Sequence, residues 1–355
     1  MNLPPPGKVL LIKPSSLGDV ITAVPVLRGL RRTFPDVRIA WMLTPACAGI
    51  VAGEPELDEV IEFDRRHFGR IGRSPRATRD FLAFCRALRR RRFDWVIDLQ
   101  GLFRSAFLLR VSGAAVRAGF ADARELAAVF YTHPVRVPPG HTIDRNIDLA
   151  RRLGIDARKE DLTLSVPEEA GQFVTSLLGA LGVAPGQYLA VAPGARWPSK
   201  LYPARHWHRV ISELIGELPV VLIGSQAERQ LCAELAEPFG GGAVNLAGET
   251  SLPQLAAVIS SAAALVCCDS AANFIAPAVS TPSVTLIGPT RPERTGPYGP
   301  LAAALVAEVP CRGCLRRRCS HVTCMQTIDP AKVASAVRDA LGRAARPAAA
   351  ARGRP

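Results

Sequence analysis

Short apolar runs rich in Val, Leu and Ile alternate along this chain with amphipathic stretches of helical period, and the alternation runs its course once and then begins again. The runs Val9–Ile12, Val37–Met42, Val60–Phe63, Trp95–Leu99 and Val116–Phe120 read as buried strands, and the stretches Val20–Thr33, Ala77–Arg91, Phe103–Val111 and His141–Leu153 as helices. Strands that alternate with helices imply a parallel sheet covered on both faces. The second half repeats the scheme, with strands at Tyr188–Ala192, Val220–Ile223, Ala264–Cys268 and Ser283–Ile287. Helices are expected at Glu168–Leu181, Ala204–Glu217, Ala227–Ala236, Leu252–Ser261 and Ser270–Val279. The fold class is therefore α/β, as two βα domains over residues 1–165 and 166–328 with a cleft expected between their carboxyl-end loops. A closing helix follows at 329–342, and then a basic low-complexity tail at 343–355 that reads as disordered.

In open α/β sheets ligands gather outside the carboxyl ends of the strands, where the next helix presents unpaired N–H groups. The first such turn holds Ser15, Ser16, Gly18 and Asp19. With one glycine it is no dinucleotide fingerprint, which needs three for close pyrophosphate approach. Asp19 would repel a phosphate, and suits deprotonating or orienting a neutral hydroxyl. A helix N-cap accounts for the same residues equally well. In the second half, Pro193-Gly194 ends a strand and leaves Lys200 near a helix start, where an ammonium and free backbone donors converge on phosphate oxygens. Asp269-Ser270 opens another carboxyl-end loop, and Glu228 follows the strand between, placed to accept from ribose hydroxyls or simply to serve as a first-turn helix acid.

Composition narrows the partners. The 355 residues are 48% hydrophobic and 21% charged, ordinary for a globular protein, and no apolar run reaches the length of a spanning helix, so a cytoplasmic location is expected. The net charge of +13 favours anionic partners. Its arginines gather at Arg86–Arg92, Arg312–Arg318 and Arg343–Arg354 without the interleaved aromatics of a single-strand nucleic-acid platform, which favours a membrane surface or a phosphorylated ligand. Solvated helix ends explain part of the first cluster. Cys47, Cys85, Cys232, Cys267 and Cys268 lie in apolar patterns and read as core. Cys311, Cys314, Cys319 and Cys324 have the spacing C-x2-C-x4-C-x4-C of a structural zinc site, although the arginines among them suit an anion-facing loop as well.

Several segments in fixed order resemble the ADP-heptose lipopolysaccharide heptosyltransferases, glycosyltransferase family 9. They are KPSSLGDVITAVPVLRGL (13–30), FDWVIDLQGLFRSAFL (93–108), GFADARELAAVFY (119–131), PGARWPSKLYP (193–203), the block 269–299, and the cysteine cluster ending Cys324-Met325. The second and third look most like heptosyltransferase I. The resemblance implies two facing Rossmann-like domains of GT-B architecture and inverting transfer of heptose from ADP-heptose to the Kdo/lipid A inner core, at the inner face of the cytoplasmic membrane. By similarity Asp19 is the base. Lys200, Glu228, Asp269, Ser270 and Ala271 bind the donor, with Lys200 and the N–H groups at Asp269-Ser270 on the ADP phosphates. Ser15, Ser16, Gly18, Gln100, Arg104 and Arg124 serve the acceptor. No cofactor is required, and nucleic acid is not a partner. Where relatives read Asp-Ser/Thr-Gly-x-x-His, this chain has Ala271 and Phe274 in place of Gly and His. That departure opens two alternatives, a transferase of another nucleotide sugar and a non-catalytic sugar-nucleotide-binding homologue.

Overall fold

The computed structural model describes residues 3–352, with side chains as far as Arg343. The chain divides into two compact units, the first ending at Leu162 and the second beginning at Thr163. The first contains β1 (Lys8–Ile12), β2 (Arg38–Leu43), β3 (Glu59–Glu62), β4 (Trp95–Asp98), β5 (Val116–Phe120) and β6 (His133–Val135). The second contains β7 (Leu189–Ala192), β8 (Val220–Leu222), β9 (Ala243–Asn245), β10 (Ala264–Cys268), β11 (Ser283–Ile287) and β12 (Ala302–Val306). Their sheets run β3-β2-β1-β4-β5-β6 and β12-β11-β10-β7-β8-β9. Counted from its own first strand each unit has the order 3-2-1-4-5-6, and every ladder is parallel.

The sequence dictates this through its central strands. Leu10 of β1 lies between Ala40 and Val96, and Val266 of β10 between Val191 and Val284, all of them buried. Both faces are covered, so apolar runs are continuous rather than alternating. The edge strands β6, β9 and β12 were not expected. Two are three residues long and β12 is alanine-rich and half-exposed, which leaves little apolar pattern to read.

The expected helix Val20–Thr33 is two helices, Leu17–Ile21 and Val24–Thr33. Pro25 has no N–H to donate to the carbonyl four residues back, and the break falls just before it, where it sits in the first turn of the second helix. The closing helix runs Pro330–Arg352 and buries Val333, Ala334, Val337 and Ala340 in the second unit's core. It thus continues over 343–352, where a disordered tail was expected, because this stretch is rich in alanine, the strongest helix former. The last part of that tail, 353–355, lies outside the described residues. Among the described residues no helix is long and apolar enough to cross a membrane.

Candidate active site

In an open parallel sheet the crevice opens where the strand order reverses. That point lies between β1 and β4 in the first unit and between β7 and β10 in the second. The loops leaving these four strands carry most of the residues singled out from the sequence.

In the first unit, Ser16 caps the Leu17–Ile21 helix, and Asp19 is its third residue. The Ser16 N–H and hydroxyl both donate to Asp19 Oδ2, at 2.9 and 2.8 Å. Capping and chemistry are therefore compatible, because the cap engages one carboxylate oxygen. Among the described residues Oδ1 has no hydrogen-bond partner, and the side chain is half-buried rather than sealed. Gly18 is buried beneath the turn, while Ser15 is half-buried beside it. At the foot of the same loop Lys13 is only 5% exposed, and its Nζ donates to the Leu99 carbonyl at 2.7 Å, tying the end of β1 to the end of β4.

The loop after β4 is organised by Asp98, which is completely buried. Its Oδ1 accepts from the N–H groups of Gln100 (2.9 Å) and Gly101 (3.1 Å), and its Oδ2 from Ser105 Oγ (2.9 Å) and the Tyr131 hydroxyl (2.7 Å). Burial pushes this carboxyl above the usual carboxylate range, against the four donors that pull it down. Burial also lifts the Tyr131 phenol, and Asp98 acts on it in the same direction. Tyr131 fits only because β5 has Gly119 beneath it, where a Cβ would lie 2.4 Å from the ring. The Arg124 N–H donates to the Gly101 carbonyl and the Phe103 N–H to Glu125, so the 121–126 loop is fastened to the 99–103 loop. This brings Gln100, Arg104 and Arg124 onto adjoining loops. Gln100 Oε1 is buried without a partner, and the two arginines are exposed and form no ion pair among the described residues.

In the second unit, Lys200 Nζ lies 2.9 Å from Asp269 Oδ2 and 3.2 Å from the Asp269 carbonyl, so the loops after β7 and β10 are locked together. Thr290 also donates to that carboxylate. Asp269 is therefore an anchor for Lys200, and what its loop can offer a phosphate is backbone N–H groups rather than the carboxylate. Beside it, no backbone N–H from Ser270 to Asn273 donates a hydrogen bond among the described residues. Those orphan donors suit an anion. Asn273 joins Thr285 to the Thr295 carbonyl, and Phe274 is buried. Glu228 Oε2 accepts from the Ser225 N–H and hydroxyl, and Oε1 lies over Gly194, whose Cβ, were there one, would sit 1.8 Å away.

Burial raises the thiol of Cys324, and Cys311, Cys314 and Cys319 lie close enough to it to add to that effect. Among the described residues no group of three or more His, Cys, Asp or Glu side chains is gathered to hold a metal. Cys324 turns into the core against Gly288, whereas Cys311 and Cys314 stand exposed. Asp98, Tyr131, Lys13 and Thr290 were not singled out from the sequence. The Asp-Leu-Gln-Gly run at a strand end was the available signal for the first of them.

Residues 81–324 match the profile of glycosyltransferase family 9 (heptosyltransferase). Lipopolysaccharide heptosyltransferase 1 of Pseudomonas aeruginosa is 32% identical over 88% of this chain and 88% of its own. Among solved structures, Escherichia coli ADP-heptose lps heptosyltransferase II superimposes with a TM-score of 0.75 at 25% identity, covering 95% of this chain and 99% of the other. An Escherichia coli heptosyltransferase with ADP-2-deoxy-2-fluoro heptose does so with a TM-score of 0.75 at 25% identity, covering 94% and 99%. With residues 81–324 matched to the family and a relative 32% identical across 88% of both chains, this chain belongs to glycosyltransferase family 9, the heptosyltransferases.

Proposed function

We propose that this chain transfers heptose from ADP-heptose to the Kdo-bearing lipid A core of lipopolysaccharide, with inversion at the anomeric carbon. The observation that carries the reading is Asp19: its carboxylate stands at the first unit's switch-point loop with one oxygen held by Ser16 and the other open. Held in this way, Oδ1 takes the proton of an acceptor hydroxyl as that oxygen attacks the anomeric carbon. The bond from that carbon to the ADP oxygen breaks on the opposite face, and ADP departs with the electron pair.

The first unit serves the acceptor. Ser15, Ser16 and Gly18 shape the loop around the base, Gln100 offers its orphan Oε1, and Arg104 and Arg124 meet the Kdo carboxylate and lipid A phosphates. The second unit serves the donor. Glu228 accepts from ribose hydroxyls, and Lys200 with the N–H groups of Ser270 and Ala271 receives the diphosphate. The N–H contacts run through the backbone, so they survive Ala271 and Phe274 where relatives carry Gly and His. A lipid acceptor also places the chain at the inner face of the cytoplasmic membrane. In support, Phe103, Leu126 and Val129 are 50, 77 and 72% exposed beside Arg104 and Arg124.

The test is ADP release from ADP-heptose with Kdo-lipid A, by wild type and Asp19→Ala, alongside ADP binding by each. Turnover should fall at least 10²-fold in the variant, the usual scale for a lost general base, with ADP affinity retained. Undiminished turnover would refute the assignment.

A further inference from the structure

Lys200 arrives at the donor site already paired. Its ammonium is 2.9 Å from the Asp269 carboxylate, so the two cancel, and the pair carries no net positive charge with which to meet a departing diphosphate. A second cation lies close by. Lys200 Nζ stands 4.6 Å from the centre of the Trp197 ring, and the Arg317 guanidinium carbon 5.4 Å from the same centre, so the two cations are no more than about 10 Å apart. Two cations held against one ring lie within reach of a single diphosphate, whose two phosphoryl groups can each take a charge-assisted hydrogen bond.

The segment bearing Arg317 is built onto the donor loops rather than loosely adjacent. Ser199 is 1% exposed, and it donates to the Arg316 carbonyl through its hydroxyl at 2.6 Å and to the Arg317 carbonyl through its N–H at 3.4 Å. On the other side the Gly313 N–H donates to the Gly288 carbonyl (3.1 Å) and the Leu315 N–H to the Pro289 carbonyl (2.8 Å). The backbone of 313–317 is thereby held between the exits of β7 and β11. The Arg317 side chain remains exposed and, among the described residues, has no carboxylate partner.

We infer that Arg317 is a second diphosphate-binding cation, carried on the cysteine-rich loop and supplying the uncompensated charge that the Lys200–Asp269 pair lacks. The inference rests on the donor site proposed above. Its ligand class is a nucleoside diphosphate or its sugar ester. The guanidinium, always charged and stacked on Trp197, grips phosphate oxygens in both the bound and the departing state.

Calorimetry with ADP and with adenosine, on wild type, Arg317→Gln, Arg317→Lys and Arg318→Gln, tests it. The expected result is about a tenfold loss of ADP affinity in Arg317→Gln, partial recovery in Arg317→Lys, wild-type behaviour in Arg318→Gln, and unchanged adenosine binding throughout. Equal ADP affinity in wild type and Arg317→Gln overturns the inference while leaving the donor site standing. So does an equal loss for ADP and adenosine, which would mean a disturbed fold. A wild-type chain indifferent to ADP overturns both.

Discussion

Gly194→Ala should act on this enzyme entirely through Glu228. A Cβ at position 194 would lie 1.8 Å from Glu228 Oε1, 2.2 Å from Cδ and 2.8 Å from Cγ. No carbon tolerates such approaches, so the carboxylate must swing away, and it then gives up the Ser225 N–H and hydroxyl that hold it at 2.6 and 2.8 Å. The turn it caps is short and exposed, so stability should fall by about 1 kcal/mol, the usual value of a lost cap. The donor suffers more. A hydrogen bond to a charged group contributes about 1.5–3 kcal/mol, and at about 1.4 kcal/mol per tenfold the dissociation constant for ADP should rise about ten- to a hundredfold. The assay is a double-mutant cycle, with ADP affinity measured for wild type, Gly194→Ala, Glu228→Ala and the double variant. If the methyl group works only by displacing the carboxylate, the double variant binds ADP no worse than Glu228→Ala alone. Additive losses would refute the reasoning, as would wild-type affinity in Gly194→Ala.

Asp98→Ala leaves two N–H groups and the Tyr131 hydroxyl without their acceptor, whereas Ser105 still has the Leu102 carbonyl at 2.8 Å, and at about 1 kcal/mol each should lower the unfolding free energy by about 3 kcal/mol in denaturant titrations. Asp98→Asn keeps the shape and one acceptor oxygen, and should cost well under half as much. The folded state holds the Asp98 proton to higher pH than the unfolded chain does, so that contribution to stability is complete below the ordinary carboxylate range and lost as pH rises through the raised value. The comparison with Asp98→Asn should therefore move against wild type as pH increases. Gly119→Ala drives a methyl group into the Tyr131 ring, and melting should show a loss of about 1–3 kcal/mol, the overpacking range. Among the thiols, Cys319 is held below its usual range by the N–H groups of His321 and Val322, whereas burial pushes Cys268 up to about 12. Brief iodoacetamide treatment near neutral pH, read by peptide mass spectrometry, should label Cys319 and leave Cys268 untouched until the chain unfolds.

What the sequence reveals follows how local each feature is. The strands β5, β10 and β11 have the bounds expected from their apolar runs, because a strand buried on both faces is written in consecutive residues. The loops carrying Asp19, Gln100, Lys200 and Asp269 were equally legible, since a polar turn between an apolar run and a helix is itself a local pattern. Asp98 was legible only as part of a motif. Its partners come from positions 100, 101, 105 and 131, and nothing near it in the chain announces that its carboxyl is sealed. The anchoring of Lys200 by the Asp269 carboxylate was illegible for the same reason, because the partners of Asp269, Lys200 and Thr290, lie 69 residues before it and 21 after. For the cysteine cluster, spacing shows which cysteines are neighbours in sequence, but the burial of Cys324 against Gly288 while Cys311 and Cys314 stand exposed depends on tertiary packing that spacing does not carry.

The two units share one strand order and place their working residues on the same loops of it, yet the charges on those loops are handled in opposite ways. Among the described residues Asp19 is held only by neutral donors, the N–H and hydroxyl of Ser16, which fix its position. The role of proton acceptor proposed for it is served by the lack of a cationic partner, which would stabilise the carboxylate and weaken it as a base. Lys200 is held by a carboxylate, which fixes its position more firmly but cancels its charge. A group meant only to meet phosphate oxygens tolerates this if the uncompensated positive field comes from elsewhere. Candidates for that field are the undonated N–H groups from Ser270 to Asn273 and the unpaired guanidinium of Arg317. Replacing Asp269 by Asn separates these contributions: the lysine gains net charge and loses its anchor. If charge is the limiting quantity ADP should bind more tightly in that variant, and if position is limiting the transfer rate should fall while ADP affinity holds.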